Sequence, residues 1–223
     1  MSRGWFVTAT DTDAGKTRVG TLLLRALAQQ GLRVVGMKPV ASGCRTTTDG
    51  LRSDDAEALM AAATVRADYA EVNPYALREA TSPDLAARAE AVDINIGHIT
   101  NCYRQLAARA DAVVVEGIGG WLVPVTRSQT MADVVRALEL PVVLVVNLKL
   151  GAINHALLTQ DAIAASGCRL AGWIANAAQP EIPAGYLAAL RERLLAPCMG
   201  VVAHGQAIEA ADSAIDLSVL LGK

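Results

Sequence analysis

Residues 8–17 of the chain read Thr-Ala-Thr-Asp-Thr-Asp-Ala-Gly-Lys-Thr and follow the apolar run Trp5-Phe6-Val7. A strand, a tight loop ending in Gly-Lys-Thr and a helix form a phosphate cradle, because backbone N–H groups of the loop and the helix N-terminus point at the anion. Lys16 adds a mobile positive charge, and Thr17 offers a hydroxyl to Mg²⁺. This stretch therefore predicts a strand, a loop that binds nucleotide phosphate, and a helix.

The loop departs from the commonest form of the motif, G-x-x-x-x-G-K-[ST], which has glycine where this chain has Thr10. It also contains two carboxylates, Asp11 and Asp13, although carboxylates repel phosphate. We expect them to face a cationic or amine-bearing substrate, to cap loop amides, or to bind metal-ordered water. Thr12, which lies between them, is a candidate for orienting a second ligand.

The composition indicates a globular protein without a strong charge. Of 223 residues, 52% are hydrophobic and 19% are charged, and the net charge is −2, so electrostatics give no case for binding nucleic acid or an anionic membrane. The longest apolar run, residues 140–146, is far shorter than the roughly 20 residues of a membrane-spanning helix. Four cysteines lie far apart without a C-x-x-C pair, as expected for reduced thiols. We expect one cytoplasmic domain over residues 1–223, without a signal peptide.

Lysine is rare in this chain, which has 16 arginines but only Lys16, Lys38, Lys149 and Lys223. An ammonium and a guanidinium are not interchangeable at a reaction centre, so positions that keep lysine are candidates for a site. Lys16 fits this interpretation. A lone lysine after a strand is usually solvated, but Lys38 also precedes a proline and small residues that permit close approach of a ligand. For Lys149 a surface lysine kept by chance remains an equal alternative.

Apolar β-type runs alternate with amphipathic helical patterns along the chain. Strands are predicted at residues 5–8, 33–37, 112–116, 141–147, 170–175 and 199–203. Helices are predicted at residues 16–30, 54–63, 98–109, 131–138, 153–166 and 185–195. Strands that are apolar on both faces need helices on both sides. The pattern predicts an α/β, doubly wound, mostly parallel sheet with helices on both faces, and an irregular segment, residues 67–92, over one sheet edge or the site.

Ligands of such sheets lie beyond the carboxyl ends of the strands, which makes the strand ends candidate site positions. Glu116 ends an apolar strand directly before glycines, as in phosphoryl-transfer sites where a carboxylate holds Mg²⁺; a solvated turn residue is the alternative. Asp55 could supply another anion for the cation, or Asp54 and Asp55 could simply begin a helix. Gly151 and Asn154 follow the next strand; they are either an ordinary turn and helix start or residues that bind substrate.

Asn176 ends another strand, where its amide could read the hydrogen-bonding edge of adenine; an ordinary turn residue is equally compatible with the sequence. His98 and His155 lie in helical stretches without partners at ligand spacing, so neither is assigned a metal or general-base role. His204 follows a strand, and the residues alone leave its role unassigned.

Taken together, these segments resemble the dethiobiotin synthetases, the ATP-dependent cyclo-ligases of biotin synthesis. The resemblance rests on residues 10–17, 38–43, 73–75, 81–83, 116–121, 149–156 and 172–176. The Lys-Pro-Val-x-Ser-Gly block at 38–43 and the Leu-Gly-x-Ile-Asn-His block at 150–155 are its most specific motifs. The chain departs from the family at Ala9, where the family has its first loop glycine, at Asp84, where it often has histidine, and in residues 200–203, which replace a Gly-x-Ile-Pro-like block.

The resemblance implies a P-loop NTPase-like fold and a reaction in which 7,8-diaminononanoate, CO₂ and MgATP give dethiobiotin, through a carbamate and a carbamic–phosphoric anhydride. By the same resemblance, Lys16 and Lys38 are catalytic, and the Mg²⁺ ligands are Thr17, Asp55 and Glu116. Substrate would bind to Thr12, Ser42, Gly151 and Asn154. ATP would bind to Asp13, Ala14, Gly15, Lys16, Thr17, Arg18, Asp55, Glu116, Gly117, Ile118, Gly119, Asn176, Ala177, Ala203, His204 and Gly205. The family is homodimeric, and residues 151–154 reach the substrate from the partner chain.

Two rival classes share the phosphate-binding loop. Cobyrinate-type amidotransferases carry a glutaminase domain with a reactive cysteine, for which we expect this chain to be too short. Nucleotide-switch ATPases of the partitioning or placement type have an additional lysine early in the loop, whereas here Lys16 is the only one.

Overall fold

A six-stranded sheet lies at the centre of the protein in a computed structural model that describes residues 2–205 and 215–222. The strands are β1 (Arg3–Ala9), β2 (Val34–Met37), β3 (Val40–Ala41), β4 (Arg45–Thr47), β5 (Gly50–Arg52), β6 (Tyr75–Ala76), β7 (Ala112–Glu116), β8 (Val142–Asn147), β9 (Leu170–Asn176) and β10 (Cys198–Val202). The helices are α1 (Lys16–Gln29), α2 (Asp54–Ala62), α3 (Tyr69–Val72), α4 (Pro83–Ala89), α5 (Ile96–Arg109), α6 (Met131–Leu138), α7 (Ala152–Ala165), α8 (Tyr186–Arg193) and α9 (Ser218–Leu221).

The strand order of the central sheet is β10-β9-β8-β1-β7-β2, and every neighbouring pair is parallel. From β1 the chain crosses to the edge strand β2, returns to β7, and then passes β1 to add β8, β9 and β10 in order. The connections after β1 and β8 therefore leave in opposite directions, and the loop after β1 lies at this switch point, which is where ligands of open α/β sheets bind. Val7 pairs with Glu116 and Ala9 pairs with Val145. This register places the ends of β7 and β8 on either side of the phosphate-binding loop.

Helices cover both faces of the sheet. Successive residues of a strand point to opposite faces, so neighbouring residues of β1 pack in different clusters. Trp5 and Val7 pack in a cluster with leucines of α1 and with Leu59 of α2. Phe6 packs in a second cluster, with residues of α5 and α6. The predicted doubly wound α/β class is confirmed. None of the helices in residues 2–205 and 215–222 is long and apolar enough to cross a membrane.

Each strand and helix predicted from the sequence is present, with its ends within two residues of the predicted ones. The sequence did not predict a short sheet of β3 and β6 or an antiparallel pair of β4 and β5. Within residues 67–92 the chain forms α3, β6 and α4. This segment packs beside the end of β2, where the Lys38 N–H donates to the Val72 carbonyl at 2.8 Å and the Asn73 side chain donates to the Lys38 carbonyl at 2.7 Å.

Candidate active site

A cavity of about 450 Å³ lies at the carboxyl ends of β1, β2 and β7. Eleven of its twelve lining residues were singled out from the sequence, and Ala41 is the exception. The others are Thr12, Asp13, Gly15, Lys16, Thr17, Lys38, Ser42, Asp55, Glu116, Ile118 and Gly119. These residues come from four separate segments, which the parallel sheet and the start of α2 bring to one edge.

The phosphate-binding loop requires glycine at position 15. Gly15 precedes α1 in the left-handed region, with φ 90°, and a Cβ atom there would lie 2.1 Å from Asn176 Nδ2. The same Nδ2 donates to the Ala14 carbonyl at 2.8 Å and thereby ties the loop to the end of β9. Asp13 also has a positive φ, 56°. Ala9, by contrast, is a buried residue of β1 outside the positive-φ set, so its backbone does not need glycine.

A buried charge cluster forms one wall of the cavity. Lys38 Nζ lies 2.7 Å from Asp55 Oδ2, 2.7 Å from Glu116 Oε1 and 3.1 Å from the Gly117 carbonyl. The Thr17 hydroxyl lies 2.7 Å from Asp55 Oδ1 and 2.9 Å from Glu116 Oε1. The Lys38 and Glu116 side chains are 2% and 1% exposed. Because buried charges need partners, this arrangement explains why a lysine can lie inside the protein.

The two lysines of the cavity have opposite pKa shifts. Burial, followed by repulsion from Lys38, lowers the pKa of Lys16 to about 8. Burial also acts to lower the pKa of Lys38, but attraction to Glu116 and Asp55 outweighs it and the pKa is raised. Burial alone would raise the pKa of Asp55, yet the Lys38 ammonium holds it below its ordinary value. Lys16 Nζ instead donates to the backbone carbonyls of Gly119, at 2.7 Å, and Asp11, at 3.3 Å.

The oxygen atoms of Thr17, Asp55 and Glu116 suit a hard divalent cation, because Mg²⁺ takes oxygen ligands and keeps several waters or phosphate oxygens. Glu116 Oε2 is buried and has no hydrogen-bond partner among the described residues, so it can serve as a ligand. The described residues contain no group of three or more His, Cys, Asp and Glu able to hold a metal by themselves. The oxygen donors of Thr17, Asp55 and Glu116 fit Mg²⁺ that arrives with nucleotide phosphate.

A second group of predicted ATP-binding residues lies outside this cavity, at the ends of β9 and β10. The Arg18 guanidinium donates to the Ala203 carbonyl at 2.9 Å, and the Ala177 N–H donates to the Val202 carbonyl at 2.8 Å. His204 Nδ1 lies 3.1 Å from the Ala178 carbonyl, next to Gly205. Through Arg18 and through the contact between Asn176 and Ala14, this region is connected to the phosphate-binding loop.

The predicted substrate residues Gly151 and Asn154 do not line the cavity. Gly151 precedes α7 with φ 92°, and Asn154 lies in the first turn of that helix. Lys149, just before them, directs its ammonium to Asp11, with 3.1 Å between Nζ and Oδ2. One carboxylate of the loop is therefore paired with a lysine, while Asp13 lines the cavity.

A neighbouring cavity of about 470 Å³ extends the first one, since the two share Thr12, Ser42, Ile118 and Gly119. Its other lining residues are Ala80, Thr81, Ser82, Pro83 and Val123. Sequence reasoning assigned none of these five a role, although residues 81–83 belong to a family motif. A usable signal is Pro83 at the start of α4, because proline in the first turn marks a helix start beside the site.

The parallel sheet, the Gly-Lys-Thr loop between β1 and α1, and the carboxylate at the end of β7 define a P-loop nucleotide-binding protein. Solved structures of this class share the fold. The septum site-determining protein MinD of Pyrococcus horikoshii, solved with Mg-ADP, has a TM-score of 0.58 and 14% identity, covering 100% of this chain and 90% of that one. A ParA family ATPase of Chlorobium tepidum has a TM-score of 0.60 and 12% identity, covering 100% and 94%.

Sequence comparison defines the family. Residues 3–212 match a family model described as an AAA domain. The ATP-dependent dethiobiotin synthetase of Xanthomonas oryzae is 48% identical, covering 96% of this chain and 97% of that protein. Those of Yersinia pestis and Cellvibrio japonicus are 46% and 45% identical, covering 94% and 98% of this chain and 88% and 98% of theirs. The chain belongs to the dethiobiotin synthetase family, the ATP-dependent carbon–nitrogen ligases of biotin biosynthesis.

Proposed function

We propose that this protein carboxylates 7,8-diaminononanoate with CO₂ and closes the ureido ring of dethiobiotin at the expense of MgATP. The observation that supports this most directly is the buried Lys38 ammonium, 2.7 Å from both Asp55 and Glu116 beside the phosphate-binding loop. A fixed positive charge next to the γ-phosphate position suits a reaction that converts a carbamate into a phosphorylated intermediate. Such chemistry depends on positioning and electrostatics rather than on a protein nucleophile.

In the proposed reaction, one substrate amine attacks CO₂ and loses a proton to give a carbamate. A carbamate oxygen attacks the γ-phosphorus, the bond to ADP breaks, and a carbamic–phosphoric anhydride forms. The second amine attacks the carbonyl carbon, expels phosphate and loses a proton. Lys38 stabilises the carbamate and its phosphorylated form, Lys16 stabilises the transferring phosphoryl oxygens, and Thr12 and Ser42 hold the diamine where the two cavities join.

Thr17, Asp55 and Glu116 would hold Mg²⁺, which when bound would neutralise charge on the phosphates. The other ATP contacts divide between the two regions described above. Asp13, Ala14, Gly15, Arg18, Gly117, Ile118 and Gly119 would surround the phosphates. Asn176, Ala177, Ala203, His204 and Gly205 would contact adenine. Asn176 Oδ1 supports this assignment, because it is buried without a partner in the described part of the chain.

We also propose a cytoplasmic homodimer formed by this single domain, in which Gly151 and Asn154 of one chain complete the substrate site of the other. Their distance from the cavity in one chain motivates this arrangement, since neither lines it. Leu150 and Leu158, beside and on α7, are 83% and 61% exposed, and apolar side chains of this kind suit an interface between copies. A net charge of −2 gives no support for nucleic acid or membrane as partners.

A nucleotide-switch ATPase is the alternative to test, because MinD and ParA proteins share this fold. Identities of 12–14% to those structures show the fold alone, whereas the two catalytic lysines and the second cavity fit a ligase. ATP turnover discriminates between the two functions. We expect diamine plus bicarbonate to stimulate it, and neither vesicles nor DNA to do so. The amidotransferase-like alternative predicts a need for glutamine or ammonia.

The decisive experiment is mass spectrometry of the products from purified protein, diamine, MgATP and ¹³C-bicarbonate. We expect dethiobiotin carrying one heavy carbon and an equal amount of ADP. Lys38→Ala serves as the control: it should still bind MgATP but form no ureido product. Absence of the ureido product while ATP is bound would overturn the proposed function, and Lys38→Ala turning over at the wild-type rate would overturn the role of Lys38.

A further inference from the structure

Lys149 contacts the phosphate-binding loop through Asp11, although the proposed chemistry leaves it without a role. Strands β1 and β8 are parallel neighbours, with Ala9 opposite Val145, and the Thr10 N–H continues the pairing to the Val145 carbonyl at 3.1 Å. Asp11 and Lys149 each follow one of these strands by two residues. The sheet therefore brings them together, and the Lys149 ammonium lies 3.1 Å from Asp11 Oδ2.

Asp11 connects this lysine to two proposed active-site residues. Its Oδ1 accepts the Thr12 N–H at 2.8 Å, and its backbone carbonyl accepts Lys16 Nζ at 3.3 Å. Thr12 lines both cavities, and Lys16 lines the first. A change in the position of the Asp11 carboxylate must therefore change the turn that presents Thr12 and the backbone oxygen that orients Lys16.

Stability alone is a poor explanation for the ion pair. The Lys149 and Asp11 side chains are 33% and 45% exposed, and pairs this exposed contribute little to folding. The hydrogen bond from Lys149 is nevertheless the main cause of the lowered pKa of Asp11. Lysine has also been kept here in a chain that uses arginine at sixteen other positions. A short, mobile ammonium suits a contact that must adjust when nucleotide enters.

We propose that Lys149 is a positioning residue for phosphoryl transfer, which acts through Asp11 to hold Thr12 and Lys16 in place. Lys149 also begins the turn that leads to Gly151, so the pair connects the phosphate-binding loop to the turn proposed to bind substrate. This inference rests on the proposed ATP site but not on the identity of the second substrate. Misplacement of reacting groups by about 1 Å can cost on the order of 100-fold in rate.

The test is a double-mutant cycle with Lys149→Met and Asp11→Asn, measured as ATP turnover with and without diamine and bicarbonate. Asp11→Asn removes the charge but keeps an oxygen for the Thr12 N–H. We expect each single variant to lower kcat about tenfold, the double variant to be no slower than either single one, and Lys149→Arg to recover part of the loss. The melting temperature should change little in all of them.

Arg33→Met is the matched control, because Arg33 forms an ion pair with Asp111, 2.8 Å between Nη2 and Oδ1, at the opposite edge of the sheet. It should leave both the melting temperature and kcat almost unchanged, because this pair, with side chains 63% and 40% exposed, also contributes little to folding. Wild-type kcat in Lys149→Met, or losses that multiply in the double variant, would overturn the inference. One result would separate the two proposals. If the wild-type protein makes no ureido product, but the Lys149→Met variant has a lower basal ATP turnover than the wild type, the proposed function fails while this inference stands.

Discussion

Lys16→Met should make the nucleotide-free protein more stable while removing its affinity for ATP. Lys16 is only 7% exposed, and its ammonium has lost water in exchange for two backbone carbonyls. Burial and the nearby Lys38 charge lower its pKa to about 8 from an ordinary 10.5. The folded environment thus disfavours the charged form of Lys16, which costs stability, and the charge becomes useful only when phosphate binds. Methionine keeps most of the side-chain volume and removes the charge.

The size of the effect follows from the pKa. The difference between about 8 and 10.5 corresponds to about 3 kcal/mol against folding at pH 7, where Lys16 is protonated in both states. For a chain of this length, about 3 kcal/mol raises the melting temperature by roughly 6–12 °C. Between about pH 8 and 10.5 the unfolded chain holds more protons than the folded one, so wild-type stability rises with pH. The advantage of the variant should therefore shrink across this range.

The assay is urea and thermal unfolding of both proteins at pH 7 and at pH 10, in buffer with EDTA and without nucleotide. Lys38→Met is the contrasting variant, because it makes the same lysine-to-methionine change at the other buried lysine of the cavity. It should destabilise the protein by about 3–5 kcal/mol, because Asp55 and Glu116 lose their shared counter-charge. The raised pKa of Lys38 means that its stabilising charge persists through pH 10. The reasoning fails if Lys16→Met is no more stable than wild type at pH 7, or if its advantage does not shrink at pH 10.

Three further predictions concern single side chains. Gly15→Ala should lower nucleotide affinity at least about 100-fold, measured with a fluorescent ATP analogue, because its Cβ would lie 2.1 Å from Asn176 Nδ2 in a strained φ region; near-normal affinity would contradict this. Ala9→Gly should leave KM for ATP within about twofold of wild type and cost at most about 1 kcal/mol of stability in unfolding assays, because Ala9 ends a strand; a large gain in affinity would contradict the observed strand geometry. Glu116→Gln should raise the Mg²⁺ concentration for half-maximal turnover by about tenfold or more, because losing an interaction with a charged group costs free energy on that scale. An unchanged Mg²⁺ titration would exclude Glu116 as a ligand.

Much of the fold could be predicted because its strands are apolar on both faces and its helices have regular stops. Gly31 and Gly167, for example, end α1 and α7 with φ 80° and 72°. The rule that ligands lie beyond strand ends then placed Lys38 and Glu116 at one site, although they are 78 residues apart in the chain. The same rule included Ser42, and the family resemblance gave it a role in holding substrate. The resemblance also made Asp55 a Mg²⁺ ligand, where the residues alone left either an anion for the cation or a helix start.

The remaining features depend on register and on contacts that periodicity does not encode. Strands β3 and β6 have two residues each, too few to show a period of two. The sequence left Asp11 to face an amine-bearing substrate, to cap a loop amide or to bind metal-ordered water. It does accept the Thr12 N–H of the loop, and the amine beside it belongs to Lys149, 138 residues away. Only the pairing of β1 with β8 brings those two side chains together. Sequence reasoning identified the right chemistry for this carboxylate but could not identify its partner.

The distribution of lysine links these observations to function. Lys16 and Lys38 line the cavity, and Lys149 pairs with Asp11 of the loop. The first two ammonium groups each do something that a guanidinium does poorly. The Lys38 ammonium fits between two carboxylates at 2.7 Å from each, whereas the planar guanidinium of arginine prefers to bind one carboxylate with two parallel hydrogen bonds. Lys16 has a pKa near 8, which a guanidinium cannot reach, so its charge can respond to an arriving phosphate. Since arginine fills most other cationic positions, Lys16 and Lys38 mark where this protein needs a small charge that can be buried or shared.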